Sequence, residues 1–400
     1  MRSALALTLG IAAIAVAADY EKPPILSAKD IVPAAILAGK GYTVDDKVAT
    51  DGLLGRYTIR SAAGTFRAHG LEMLSVRVSE LPAIQHLKGV SHSKVFVTAA
   101  RNAAEKPVKA AVNMVTHPKE TVQGLPAGVG RFFDRVQSGA NRLVEAASSS
   151  GSGEDRAGIF LKGGGTAARD ALGYEQERRA LAKELKVDPY TSNPVLAKQL
   201  DDVAWVSFSG RLGTNVVMSV VVPGSIAISA TNFTNDLVWD TPRGDLIVRN
   251  ETVLKNLGVS ETPARAFMKN AAIPLSVKTD LVQGLEKLGH VKGRAAVVAL
   301  AATARSEEQA RFLAAAVRLL GKGHALEEVT AIGTVVGREK GGIVVPAPVD
   351  YVSWTERVAR FANRGDLKAS ERSIWLTGKM SPRARREFDA LGWKVNEDAR

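Results

Sequence analysis

The sequence predicts an α+β protein: a small antiparallel β meander followed by helices, a helix-rich middle, and a C-terminal α/β end. Three observations carry this reading. Between Gly41 and His69, short β-branched and aromatic runs are separated by Gly and Asp signals. From Leu71, and again from Thr166, apolar residues recur at helical spacing. Close to the end, a strand pattern, a capped helix and a second strand pattern follow one another. No repeat occurs at a fixed period.

The first 18 residues read as a secretory signal peptide. Arg2 gives the charged start, an uncharged run of about 14 residues spans Ser3 to Val16, and small residues precede Asp19-Tyr20. That run is short of the roughly 18–20 residues that cross a bilayer. Cleavage near Ala17 or Ala18 is therefore the expectation, with an uncleaved anchor as the alternative. Tyr20 to Pro24 reads as extended because of its prolines.

In the meander, Tyr42 to Val44, Arg56 to Ile59 and Thr65 to Arg67 are the strand cores. Leu71 to about Val115 turns helical, with Pro82 and Pro107 expected as breaks. Ser148 to Gly153 and Gly163 to Gly165 are low in complexity and read as a flexible linker. A strong helix then runs from Thr166 through Tyr174 to Leu185. It ends in a turn marked by Asp188-Pro189 and Asn193-Pro194. This gives an expected division into 1–18 (signal peptide), 19–147 (N-terminal α+β region), 148–168 (Gly/Ser linker), 169–250 (helix-rich middle with an apolar segment) and 251–400 (C-terminal α+β region).

The last region is the best patterned. Ser306 to Gln309 form a capping box ahead of Phe312, Leu313, Val317 and Leu320, and Gly321 stops that helix. Thr330 to Val336 and Ile343 to Val345 flank Glu339-Lys340-Gly341-Gly342 as a hairpin. A helix is expected over Trp354 to Phe361 and a strand over Ile374 to Leu376. Ser381 caps a helix with Pro382 at its first position, and Gly392 ends it before Trp393-Lys394-Val395.

Composition bounds the function. Hydrophobic content of 46% and charged content of 24% are those of a globular chain. The chain has no cysteine, which excludes disulfides, thiolate metal sites and a lipid carried on Cys. The net charge is +12, and residues 1–18 hold one Arg and no acid, so the remainder carries +11. A basic exported protein is drawn to anionic surfaces such as phospholipid headgroups or acidic wall polymers, and nucleic acid is not expected there. The plain alternative is that the charge only keeps the protein soluble.

Candidate sites are few. Arg357, Arg360, Arg364, Lys368, Arg372, Lys379, Arg383, Arg385 and Arg386 stand against Asp366 and Glu371 over 30 positions, and Arg357, Arg360 and Arg364 share a helical face. Arginine offers bidentate contacts to phosphate or carboxylate, so this run is the leading anion-binding candidate. An ordinary solvated face is the alternative. Gly124 to Phe133 clusters glycines beside Arg131, a second anion candidate, although its spacing matches no nucleotide fingerprint. Leu212 to Thr231 carries no charge and reads as a buried hairpin around Pro223-Gly224 or a membrane-inserting segment.

Ser91-His92-Ser93-Lys94 fits S-x-x-K, the spacing at which Lys activates a Ser nucleophile in penicillin-binding proteins. No K-T-G follows, only Thr377-Gly378-Lys379 in the wrong order, and no S-D-N occurs. Helix N-capping by Ser91 or Ser93 explains the motif better. His69, His86, His92, His117, His290 and His324 are scattered, with only His69/Glu72 and His324/Glu327 or Glu328 as helical pairs, so no metal or cofactor is expected.

No catalytic residues are assigned. The sequence therefore favours an exported, periplasmic or envelope-associated protein of a bacterial host. Its role would be non-enzymatic, at an anionic surface or with another envelope protein. An envelope hydrolase whose residues converge only in the fold (Ser91/Lys94), and a membrane-inserting component acting through Leu212–Thr231, are the alternatives.

Overall fold

The computed structural model describes residues 20–94, 96–98, 100, 166–208, 236–322 and 325–399. The signal-peptide stretch, Pro107, the Gly124–Phe133 cluster with Arg131, the Gly/Ser stretch up to Gly165, Leu212–Thr231 and His324 lie outside the described residues.

The N-terminal sheet is antiparallel, as the turn signals predict. Its strands are β1 (Ile25–Ser27), β2 (Ala38–Gly39), β3 (Tyr42–Val44), β4 (Lys47–Thr50), β5 (Gly55–Ser61) and β6 (Gly64–His69), with short helical turns α1 (Ala28–Ile31) and α2 (Ala34–Leu37) between β1 and β2. The order is β1-β4-β5-β3-β2, and β6 pairs with β5 along its length. Alternation sets the two faces. Tyr42, Val48, Tyr57 and Ile59 point into the core and are almost fully buried, while Arg56, Arg60 and Arg67 face outward and are exposed.

Helix α3 (Leu71–Ser91) covers the inner face and passes through Pro82 without ending there. The sequence reading of Pro82 as a break is thereby corrected. A proline inside a helix costs about 3 kcal/mol. Here Met73, Leu74, Val78, Leu81, Ile84 and Leu87 bury one continuous stripe, each worth about 1.5–3 kcal/mol, so packing outweighs the lost bond. Helices α4 (Thr166–Glu184) and α5 (Pro194–Phe208) complete this core through Leu181, Leu185, Leu196, Leu200 and Val203.

The helical middle comprises α6 (Asp236–Asp240), α7 (Arg243–Asn256), α8 (Glu261–Lys269), α9 (Leu275–Lys287), α10 (Arg294–Ala302) and α11 (Glu307–Leu320). Ser306 caps α11 by accepting from Gln309 N, and the Gln309 side chain accepts from Arg305 N at 2.8 Å. The cap read at Ser306 is present, with the return bond of Gln309 falling one residue upstream of the box, on Arg305.

A mixed sheet closes the chain. It holds β7 (Glu328–Ala331), β8 (Val335–Glu339), β9 (Gly342–Ala347), β11 (Glu371–Leu376) and β13 (Trp393–Asn396), ordered β13-β11-β9-β8-β7, while the short strands β10 (Tyr351–Val352) and β12 (Lys379–Met380) pair with each other in parallel. The expected single strand over Thr330–Val336 is two strands, broken at Gly333, whose φ of 80° only glycine adopts freely. Strands β7 to β9 are antiparallel, whereas β9, β11 and β13 run parallel. Helices α12 (Glu356–Ala362) and α13 (Pro382–Ala390) lie on one face, against Val336, Ile343, Val345 and Ile374. The other face, through Val335 and Val344, packs on α9 to α11. The β11–α13–β13 segment is the predicted strand–helix–strand unit, with Ser381 capping α13 through Ala384 N at 2.9 Å. Phe388 sits edge-on between Trp354 and Trp393 at 5.6 and 5.9 Å.

Three contacts lock the parts together. Asp350, in the loop after β9, is buried. It accepts from Gly55 N (2.7 Å), Tyr57 Oη (3.0 Å) and Leu71 N (2.9 Å) of the first sheet and α3. Glu21 accepts from Trp354 N and from Ser381 Oγ at 2.5 and 2.6 Å, and its own N–H donates to Trp354 O. Residues 20–24 lie outside helix and strand and are tied through Glu21 to the C-terminal part.

The third contact is a buried charge network. Glu80 of α3 takes bonds from Arg77, Thr191 and Asn193. Glu307 of α11 takes them from Arg311 and Ser192. Arg318 bridges Glu72 and Asp280.

Candidate anion-binding face

The outer face of the first sheet is the most distinctive surface among the described residues. Strand β5 alternates Arg56-Tyr57-Thr58-Ile59-Arg60, and β6 alternates Thr65-Phe66-Arg67-Ala68-His69. The register sets Arg56 opposite His69, Thr58 opposite Arg67 and Arg60 opposite Thr65. Arg67 is thus diagonal to both Arg56 and Arg60, within reach of long side chains across the strand pair. On the other flank, Ala49 of β4 lies opposite Arg56, and Lys47 follows on the same face.

Charge on this face is only partly compensated. Arg60 is held by Asp45 through two bonds of 2.7 and 2.9 Å, and that bond keeps the Asp45 carboxyl below the usual carboxylate range. His69 Nε2 is 3.8 Å from Asp51. No carboxylate among the described residues pairs with Arg56, Arg67 or Lys47, and all three are exposed. Cations projecting from one face of paired strands can take phosphate or carboxylate oxygens, the arginines bidentately.

The C-terminal basic run is built differently. Arg357 faces Asp51 at 3.8 Å, Arg360 faces Glu356 at 3.8 Å, and Arg364 pairs with Asp366 at 2.6 Å. Arg383 approaches Glu387 at 3.9 Å, and Arg385 pairs with Glu397 at 2.8 Å. Arg372 lies over the Trp393 ring at 5.1 Å and donates to Leu391 O. Lys379 donates to Asp30 O at 3.1 Å, while Lys368 and Arg386 are exposed. Most of the run is matched by carboxylates, several of them remote or one helical turn away.

The S-x-x-K residues do not form a nucleophile pair in this geometry. Ser91 closes α3 and donates to Lys88 O at 3.1 Å, and Lys94 is exposed. The capping role belongs to Ser93, which accepts from Phe96 N at 3.1 Å; Ser91 caps nothing. Among the described residues, no group of three or more His, Asp or Glu side chains is placed to hold a metal ion.

Two buried clusters escaped the sequence reading. Asp188 accepts from Ser276 Oγ and Tyr190 N, and burial pushes its carboxyl up to about 6. In the same network burial also raises Glu72 and Asp280. Burial acts the same way on Glu307, but Arg311, Ser192 and Arg77 outweigh it and hold that carboxyl below its ordinary value. Nearby, Lys278 Nζ donates to Met268 O at 2.7 Å, and burial, helped by Arg243, brings its amine down to about 8. Arg243 lies over the Tyr190 ring at 5.5 Å.

A groove of about 810 Å³ beside the β8–β9 hairpin, lined by Lys292, Glu328, Arg338, Glu339 and Ser370, mixes both signs of charge. No helix among the described residues is long and apolar enough to cross a membrane. Comparisons with protein families, with curated proteins and with solved structures find no match for this chain.

Proposed function

We propose that this is an exported, non-enzymatic protein of the cell envelope that binds an anionic surface through the outer face of its first β-sheet. The observation that carries the reading is the set of unpaired cations Arg56, Arg67 and Lys47 on one exposed, regular face. The charge of +11 outside residues 1–18 acts in the same direction, by steering the protein toward anions. The contact residues proposed thus move from the Arg357–Arg386 run, where carboxylates face most of the cations, to the N-terminal sheet.

The test is envelope fractionation with stepwise salt. At 1 M salt the Debye length falls to about 3 Å, and exposed charge contacts are lost. Wild type is expected in the envelope fraction at low salt and in the supernatant at 1 M. Arg56→Gln/Arg67→Gln is expected to be released at lower salt, while Arg360→Gln/Arg364→Gln behaves as wild type. Free solubility of wild type at low salt, or a larger effect of the C-terminal pair, overturns the proposal.

A further inference from the structure

The same face carries an apolar residue that charge alone does not explain. Ile25 of β1 is 72% exposed, the most exposed large hydrophobic side chain among the described residues. The register places Ile25 opposite Ala49, Ala49 opposite Arg56, and Arg56 opposite His69. One row across four strands thus runs from apolar to cationic. Exposed Lys22 and Lys29 flank Ile25 in sequence, and Tyr20, 39% exposed, precedes them.

Resting on the anionic-surface reading, we propose that the partner is the headgroup layer of an anionic phospholipid bilayer, with Ile25 entering the acyl boundary. An acidic polymer in water offers oxygens to the arginines and nothing to Ile25. A lipid surface offers both, phosphates for Arg56, Arg67 and Lys47 and an apolar layer a few ångströms below them. The geometry also suits a flat partner, since the cations project from a sheet and not from the walls of a cleft.

The experiment is sedimentation with vesicles, using the full chain as processed by its host. One set is phosphatidylcholine alone, and the other is phosphatidylcholine and phosphatidylglycerol in equal parts. Polyglutamate immobilised on beads is the lipid-free anion. Wild type is expected to bind the mixed vesicles and not the neutral ones. Arg56→Gln and Arg67→Gln should each weaken vesicle binding about fivefold, the loss expected for one basic residue near such a surface. Ile25→Ser should weaken vesicle binding about tenfold and leave polyglutamate binding unchanged, since it removes only a partitioning side chain. The side chain is exposed, so an unchanged urea midpoint for Ile25→Ser checks that the fold is intact.

Equal binding of wild type and Ile25→Ser to the mixed vesicles overturns the lipid assignment. If binding to polyglutamate then still depends on Arg56 and Arg67, the anionic-surface reading stands without it. Binding of wild type to neither mixed vesicles nor polyglutamate overturns both.

Discussion

Replacing Asp350 by alanine tests how the parts of this protein are held together. The carboxylate accepts from two backbone N–H groups, Gly55 and Leu71, and from the Tyr57 hydroxyl, in a site that is 4% exposed. Alanine leaves three buried donors unpaired, each costing about 1–3 kcal/mol. Against this, burial pushes the Asp350 carboxyl up despite its donors, so some of the cost of burying its charge is returned. The net loss works out at about 3–5 kcal/mol, a large share of the 5–15 kcal/mol that stabilises a typical domain. Asparagine keeps one acceptor oxygen but turns its amide toward a donor, and should lose about 1–3 kcal/mol. The assay is urea unfolding followed by tryptophan fluorescence. The expected order of midpoints is wild type, then Asp350→Asn, then Asp350→Ala. An alanine variant within about 0.5 kcal/mol of wild type, the range of an ordinary surface change, would refute the reasoning.

Asp188 gives a pH prediction. Its folded value of about 6 lies above the ordinary 3.8, so the unfolded chain ionises first. The stability it contributes is complete below about pH 4 and is lost as pH rises through 6, about 3 kcal/mol in all. Asp188→Asn should therefore flatten the decline of the urea midpoint between pH 4 and 7; parallel wild-type and variant profiles would count against it. A Cβ at Gly378 would lie 2.1 Å from Asp350 O, so Gly378→Ala should cost about 1–3 kcal/mol or more, read from the same midpoint. Phe388 is 1% exposed between two tryptophans, and Phe388→Ala should cost about 3–5 kcal/mol and collapse the near-UV circular dichroism of Trp354 and Trp393.

Features set within a few residues were legible in the sequence. The caps at Ser306 and Ser381, the turn at Lys340-Gly341 and the strand–helix–strand close all depend on local chemistry, and each is found where it was read. Pro82 misled because its local penalty is opposed by burial against strands and helices that the local pattern does not contain. The ion pairs of the basic run at Arg357–Arg386 were only partly legible for a similar reason. Counting acids within the run omits Asp51 and Glu397, which reach it only in the fold. The cationic sheet face had a signal, the period-two spacing of Arg56, Thr58, Arg60 and of Thr65, Arg67, His69. What hid it was that two strands must pair in register before those residues form one surface. The network of Glu72, Glu80, Asp188 and Glu307 had no such signal, since its members come from three separate segments, α3, the turn at Asp188 and α11.

The ties at Glu21 and Asp350 make closure of this fold a late event. As a chain appears from its N-terminal end, the first sheet and α3 can assemble while Gly55 N, Leu71 N and Tyr57 Oη still lack their acceptor. Glu21 likewise waits for Trp354 and Ser381. A nascent chain is thus denied its last stabilising contacts until nearly all of it has emerged. This ordering makes truncation near the C-terminus felt at the opposite end of the chain.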